Sequence, residues 1–237
     1  MKTIAIIQCR MNSTRLPGKA LLELGGEKIY RKVYNRVKKA VDKTVMAFPE
    51  SEKDEWLEQD LSDMEYYFGD DTNLLKRYYQ GLQIYQGYDT LVRVTADCPY
   101  IDGQMISDFL KVVNVFGLMK QTDLWLYGGN IQGLNFEVYD RGIFEMVVKN
   151  EYYTDEQMEH VTECFTSDEE EDFVEYSLFF PANTNEKIRL TIDYPEDYEM
   201  MKILSDYRMD LLAFSTEEII KLYKTKPEIF KINEARY

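Results

Sequence analysis

Two arginines, a lysine, two hydroxyl side chains and a Pro-Gly pair are packed into the run Gln8-Cys9-Arg10-Met11-Asn12-Ser13-Thr14-Arg15-Leu16-Pro17-Gly18-Lys19. Arg10 and Arg15 offer planar forks suited to bidentate contact with phosphate oxygens, and Lys19 adds a mobile point charge. Pro17 fixes one backbone angle while Gly18 frees the next, so the run can turn tightly and present backbone N–H groups to an anion. These are groups for holding a polyphosphate. Two further apolar runs end in acids, Val92-Arg93-Val94-Thr95-Ala96-Asp97 and Ile188-Arg189-Leu190-Thr191-Ile192-Asp193. A single strand-end Asp is more often a turn former or a helix cap, and Asp102 and Asp197 are assigned to that structural class. Asp97 and Asp193, taken together with the basic loop, point to Mg²⁺, which favours one or two carboxylates plus substrate phosphates. The chemistry served by such a set is metal-dependent phosphoryl or nucleotidyl transfer.

Those residues must be positioned by the elements around them. Thr3-Ile4-Ala5-Ile6-Ile7 is short and almost uninterruptedly apolar, which predicts a buried parallel strand. The basic loop therefore leaves the carboxyl end of a strand, the edge at which open α/β sheets bind ligands. The hydrophobic periodicity predicts strands at 3–8, 44–48, 64–68 and 90–95, alternating with helices near 28–41, 52–61, 73–86 and 104–116. That βαβ order predicts an α/β fold with a doubly wound, mostly parallel sheet and helices on both faces. Thr72 is the expected cap of the helix at 73–86, with Asp70 and Asp71 as cap or dipole partners. Beyond 116 the rhythm breaks. Residues 120–140 read as short strands with turns at Gly128-Gly129 and Gly133, and 142–166 as mostly helical. The acidic run 168–172 reads as a solvated loop before a strand at 173–180. A strand at 187–192 and helices near 196–207 and 216–224 complete the pattern.

Charge narrows the partners. The 237 residues carry a formal −15, yet residues 1–43 hold eleven basic against three acidic side chains, +8, which leaves −23 for the rest. A small anion is drawn to that basic end, whereas a nucleic-acid duplex meets an acidic body, so no nucleic-acid partner is expected. Arg31, Lys32, Arg36, Lys38 and Lys39 are expected to form the wet face of a helix. Three scattered cysteines with no CxxC pair, and no secretory leader, predict a reducing cytoplasm, with Cys98 a small packing residue. No apolar run approaches the ~20 residues needed to span a bilayer, so no membrane partner is expected. A single histidine, His160, rules out His-rich zinc sites. The nineteen tyrosines follow no nucleic-acid module and are expected to serve packing.

Six segments, in order and spanning nearly the whole chain, resemble the cytidylyltransferase family that activates acidic sugars. They are 8–19, Gly69 through Tyr79, 92–102, Gly133-Leu134-Asn135-Phe136-Glu137-Val138, Glu159-His160-Val161-Thr162, and Arg189 through Asp197. The likeness is to its spore-coat polysaccharide branch especially, with the 3-deoxy-manno-octulosonate and acylneuraminate enzymes as relatives. The resemblance implies a nucleotide-diphosphosugar transferase-like sheet in one domain over 1–237, with about 120–182 inserted as an acceptor-binding and dimerisation region. It also implies Mg²⁺-dependent transfer of a cytidylyl group from CTP to a sugar or acidic sugar, through a hydroxyl or a phosphate, with pyrophosphate leaving, and a homodimer. By the same likeness, Arg10, Ser13, Arg15, Lys19 and Asp97 bind the nucleotide, and Lys19, Arg10, Arg15 and Asp97 serve catalysis. Asp97 and Asp193 hold Mg²⁺, while Glu137, His160 and Asn135 face the acceptor. Gln132 and Asn135 are amides where the family usually has carboxylates, so the acceptor side is altered while the phosphate and metal motifs are intact. On the residues alone, Glu137 also reads as a solvent-facing acid and His160 as a satisfied interior histidine. A glycosyltransferase consuming a sugar nucleotide, and a non-catalytic nucleotide-binding homologue, stay open as alternatives.

Overall fold

A computed structural model describes residues 1–115, 124–127, 131–149, 153–166, 175–177, 188–207 and 215–236. The first half runs β1 (Thr3–Gln8), the hairpin β2 and β3 (Glu23–Leu24, Glu27–Lys28), α1 (Ile29–Val37), β4 (Lys43–Pro49), α2 (Lys53–Leu57), β5 (Tyr66–Gly69), α3 (Leu74–Ile84), β6 (Thr90–Thr95) and α4 (Gly103–Val115). The second half contributes β7 (Leu124–Tyr127), β8 (Ile131–Gln132), β9 (Phe136–Asp140), α5 (Arg141–Val148), α6 (Asp155–Glu159), α7 (Glu163–Thr166) and β10 (Glu175–Ser177). It closes with β11 (Ile188–Arg189), α8 (Pro195–Tyr207), α9 (Thr216–Thr225), α10 (Pro227–Phe230) and a 3-10 turn over Lys231–Arg236.

Side chains of β1 divide by parity, as a period of two requires. Ile4 and Ile6 pack with Val45, Ala47 and Leu91 on one face of the sheet, and Ala5 and Ile7 with Met46, Phe48, Val92 and Val94 on the other. A strand apolar on both faces belongs at the centre, and β1 pairs in parallel with β4 on one side and β6 on the other. The sheet order is β10-β7-β9-β6-β1-β4-β5. β4–β5 and β7–β10 are also parallel, while β9 runs against both β6 and β7. The doubly wound, mostly parallel sheet is thus the observed architecture, and strands from the 120–182 region extend it.

Three expectations about elements change. The stretch at 187–192 is a strand only over β11, and it pairs with β8 outside the main sheet. The chain beyond it is held instead by single backbone bonds, Leu190 N–H to Gln132 O at 2.7 Å and Ile192 N–H to Asp97 O at 2.9 Å. Gly133 lets this segment in: its φ is 91°, and a Cβ there would lie 2.3 Å from the Leu190 carbonyl carbon. The expected wet face of α1 fails at Lys32 and Arg36, both buried. Lys32 pairs with Glu27 at 3.6 Å, and Arg36 Nε donates to Ile101 O at 2.5 Å, fastening α1 to the start of α4. The α3 cap is Asn73, which accepts from Lys76 N at 2.8 Å, while Asp70 takes the N–H groups of Thr72 and Asn73 one turn earlier. Gly128-Gly129 and the acidic run 168–172 lie outside the described residues.

Candidate active site

Where β1 ends, Cys9 N–H bonds to Ala47 O at 3.1 Å and the basic loop departs from the carboxyl edge of the sheet. The loop closes on itself through Gly18 N–H to Met11 O at 3.0 Å, with Gly18 in the left-handed region at φ 69°. Ser13 is buried and its hydroxyl accepts from Leu16 N at 3.4 Å, so it shapes the turn as well as lining the cleft. Glu52 fixes the loop from outside. Its carboxylate is buried and accepts from Met11 N at 2.6 Å, Asn12 N at 2.9 Å and Trp56 Nε1 at 3.1 Å. The expected amide cradle is therefore largely spent within the protein, and phosphate binding falls mainly to side chains. The expectation of a helix near 52–61 gave Glu52 no role in the site. The available signal was Trp56 one helical turn later, since a tryptophan four residues from an acid shares its face. Trp56 is fully buried, stacked on Phe48 at 4.0 Å, and anchors the short α2, at whose N-terminus Glu52 reaches the loop.

Lys19 is the hub. Its Nζ donates to Asp97 Oδ2 at 2.8 Å, Ile192 O at 2.7 Å and Asp193 Oδ1 at 3.1 Å. Burial works against the Lys19 charge, but the two carboxylates outweigh it and its pKa is raised. For Asp97 burial likewise opposes ionisation. The Lys19 charge and hydrogen bonds from Lys19, Thr95 and Cys98 overcome it, holding Asp97 below the usual carboxylate range. Both are charged at neutral pH. Arg15 joins from the rim, its Nη2 on Asp193 Oδ1 at 2.7 Å and its guanidinium 5.0 Å from the Tyr194 ring centre. Asp193 is set in turn by Arg189, whose Nη2 donates to Asp193 Oδ2 at 2.7 Å and whose Nε donates to Asp197 Oδ1 at 2.9 Å. Asp197 is fully buried and also accepts from the N–H groups of Asp193 and Tyr194, each at 2.9 Å. Its assignment as a structural acid stands, and so does that of Asp102, which accepts from Gln104 N at the start of α4 and from Thr216 Oγ1.

The donor set fits a hard divalent cation shared with a phosphate. Asp97 and Asp193 turn anionic oxygens toward one point, and the Lys19 ammonium there shows that the position favours positive charge. Among the described residues no group of three or more His, Cys, Asp or Glu side chains is placed to hold a metal, so a cation on Asp97 and Asp193 would take its remaining oxygens from substrate or water.

A cleft of about 720 Å³ is lined by Arg10, Ser13, Arg15, Lys19, Asp97, Asp193 and His160, which brings the expected nucleotide and metal residues together. Arg10 lies at its mouth, exposed and 4.0 Å from Glu159. His160 falls in the break between α6 and α7 and is exposed, so it is not an interior histidine. A second cleft of about 320 Å³ is lined by Gln132, Asn135, Glu137 and Arg189, and shares Arg93, Thr95 and Thr191 with the first. The residues expected at the acceptor are thus divided, Asn135 and Glu137 in the smaller cleft and His160 in the larger. Glu137 is not solvent-facing. It accepts from Arg93 Nη1 at 2.5 Å, Tyr139 OH at 2.5 Å and Thr162 Oγ1 at 2.7 Å, so it holds Arg93 where the clefts meet. The Gln132 amide oxygen accepts from Arg189 Nη1 at 2.7 Å. Cys98 is buried with its thiol pKa pushed up by burial and then by the Asp97 charge, which suits a packing residue.

Comparison with known proteins is consistent with this geometry. A family model described as cytidylyltransferase matches residues 4–234. The spore coat polysaccharide biosynthesis protein SpsF of Bacillus subtilis is 27% identical over 97% of this chain and 97% of its own. The 3-deoxy-manno-octulosonate cytidylyltransferase of Parabacteroides distasonis is 30% identical over 107 residues, 45% of this chain and 43% of that one. Among solved structures, a cytidylyltransferase from Leptospira borgpetersenii superposes with a TM-score of 0.84 at 25% identity, covering 97% of each chain.

Proposed function

The chain belongs to the cytidylyltransferase family and is a nucleotidyltransferase, and we propose that it transfers the cytidylyl group of CTP to a sugar or acidic sugar, releasing pyrophosphate. The observation that carries this reading is the convergence of Lys19, Arg15, Asp97 and Asp193 at one end of a cleft large enough for a nucleotide. The acceptor oxygen, a hydroxyl or a phosphate, attacks the α-phosphorus in line. The new O–P bond forms as the bond to the β-phosphate oxygen breaks, and its electron pair leaves with pyrophosphate. Lys19 and Arg15 offset the charge gathering on the departing phosphates, and Arg10 closes from the rim. When the nucleophile is a sugar phosphate no proton has to be removed, and when it is a hydroxyl its proton passes to solvent water as the O–P bond forms. Asp97 and Asp193 would hold Mg²⁺, whose chemistry when bound is to neutralise phosphate charge and acidify an acceptor hydroxyl. Arg93, fixed by Glu137 between the two clefts, orients the acceptor from the smaller one, with Asn135 on its wall.

SpsF's role in spore-coat polysaccharide synthesis supports placing the product among precursors of surface polysaccharide. The setting proposed is a reducing cytoplasm, supported by three free buried cysteines. No helix among the described residues is long and apolar enough to cross a membrane. A homodimer is the assembly proposed, two-fold pairs being the commonest oligomers.

The test is calorimetric titration with CTP, ATP, GTP and UTP, each with Mg²⁺ or with EDTA, followed by a pyrophosphate-release screen over acidic sugars and sugar phosphates. Selective, Mg²⁺-strengthened CTP binding with pyrophosphate release is the expected result. No binding of any of the four nucleotides would overturn the reading. CTP binding with no release across the screen would turn it to the non-catalytic homologue, and turnover of a sugar nucleotide without pyrophosphate to the glycosyltransferase.

A further inference from the structure

The wall of the larger cleft built by the β5–α3 connection lies across β1 from Asp97, since β6 and β4–β5 flank β1 on opposite sides. Arg77 stands in this wall only 2% exposed. Its Nε donates to Asp70 O at 2.6 Å and its Nη2 to Asp71 O at 2.8 Å. No carboxylate among the described residues pairs with it, its Nη1 makes no hydrogen bond to a described residue, and Arg77 lines the cleft. A nearly buried cation held this rigidly, with one nitrogen to spare, calls for an acceptor from the ligand.

Gln8 supplies a second such donor. Its Oε1 accepts from Tyr78 OH at 2.9 Å and from Arg93 Nε at 3.2 Å. Because Arg93 Nε can only donate, the atom facing it is the carbonyl oxygen, and the amide NH₂ is turned the other way. That NH₂ has no protein partner among the described residues, and Gln8 lines the same cleft. Tyr78, which fixes Gln8, and Arg77 both belong to α3, and Gln8 and Arg77 both line this cleft. Leu74 and Cys9 add apolar surface to the lining of the same cleft, against which a flat ring can lie. The triphosphate already has Lys19 and Arg15, and a single fixed donor suits the edge of a base better than a freely turning phosphate.

We propose that Arg77 Nη1 and Gln8 Nε2 read the cytosine ring of CTP by donating to its O2 and N3, and so set the choice of cytosine over uracil. The inference rests on the CTP reading above. Cytosine N3 offers a lone pair, whereas uracil N3 carries a hydrogen, which sets donor against donor and leaves a buried protein group unpaired.

The test is titration of the wild-type protein with CTP, UTP and 3-deaza-CTP, in which ring N3 is replaced by C–H. UTP and 3-deaza-CTP are each expected to bind about 10- to 100-fold more weakly than CTP. Gln8→Glu, which keeps oxygen acceptors for Tyr78 and Arg93 but has no donor, and Arg77→Lys are expected to compress the CTP-to-UTP preference to within about 3-fold. A purely structural role would lower affinity for both nucleotides and leave their ratio unchanged, and that outcome overturns the proposal. So does 3-deaza-CTP binding as tightly as CTP, a result that leaves the CTP reading intact. Absence of CTP binding in the wild type overturns that reading and the proposal with it.

Discussion

Replacing Lys19 with methionine keeps most of the stem and removes three hydrogen bonds and two ion pairs at once. At an effective dielectric of about 20, attraction across the 2.8 Å and 3.1 Å contacts is about 6 and about 5 kcal/mol before desolvation is subtracted. Breaking a buried pair by removing one partner costs about 3–5 kcal/mol, because the remaining charge stays in place. The Asp97 side chain is 26% exposed, so water takes up part of that charge and the expected loss is at the low end, about 3 kcal/mol. For a chain of this size that corresponds to a fall in melting temperature of about 6–12 °C. Scanning calorimetry of the nucleotide-free protein measures it. Titrating Mg²⁺ into both proteins adds a second reading, in which the variant should be stabilised more than the wild type, where the ammonium competes for the same position. Turnover should fall by about 10²- to 10³-fold. A melting temperature within about 2 °C of wild type, or the same Mg²⁺ shift in both proteins, would show that the ammonium does not organise the two carboxylates.

Glu52→Gln should lower stability by about 1–3 kcal/mol and weaken nucleotide binding about 10-fold, since a neutral amide holds the Met11 and Asn12 N–H groups less well. Unchanged nucleotide affinity would mean that the loop keeps its shape without Glu52. Asp197→Asn should cost about 3–5 kcal/mol in urea unfolding, as it places an amide NH₂ among the donors of Arg189, Asn233, Asp193 and Tyr194. Asp97 and Asp197 are held below the usual carboxylate range, in both cases against burial and by their cationic and hydrogen-bonding partners. Their contribution is therefore complete above the unfolded-state value near ~4 and is lost as pH falls through the folded values. Denaturation midpoints should accordingly hold steady from neutral pH down to about 4 and drop below it, and a drop already complete near pH 6 would refute that assignment. Gly133→Ala should destabilise by at least about 1–3 kcal/mol and slow turnover, because it pushes the Leu190 backbone, and with it Asp193, away from Lys19. Wild-type kinetics in that variant would count against the close approach as the device that places Asp193.

Ile4, Ile6 and their neighbours Ala5 and Ile7 told the sheet where its centre is, because a strand buried on both faces has no other place to go. The run from Gln8 to Lys19 likewise declared its chemistry, since two guanidinium groups and an ammonium around a Pro-Gly turn are intelligible without coordinates. Only the tertiary structure decided which charges meet. Lys19 finds Asp193 across 174 positions, through a segment that leaves its short strand and is let in by a glycine. Nothing in the local pattern of either segment encodes that approach. Packing also decided that Lys32 and Arg36 turn inward, because their stems fill space between α1 and its neighbours and their heads reach Glu27 and the Ile101 carbonyl. Glu52 went unseen for the same reason. An acid on a short helix looks solvated until a tryptophan one turn away is found against the sheet, and the burial that makes it functional belongs to the fold rather than to the residue. Sequence period sets which elements form and which residues can do chemistry, and the long-range contacts that close only in the folded chain set which of those residues act together.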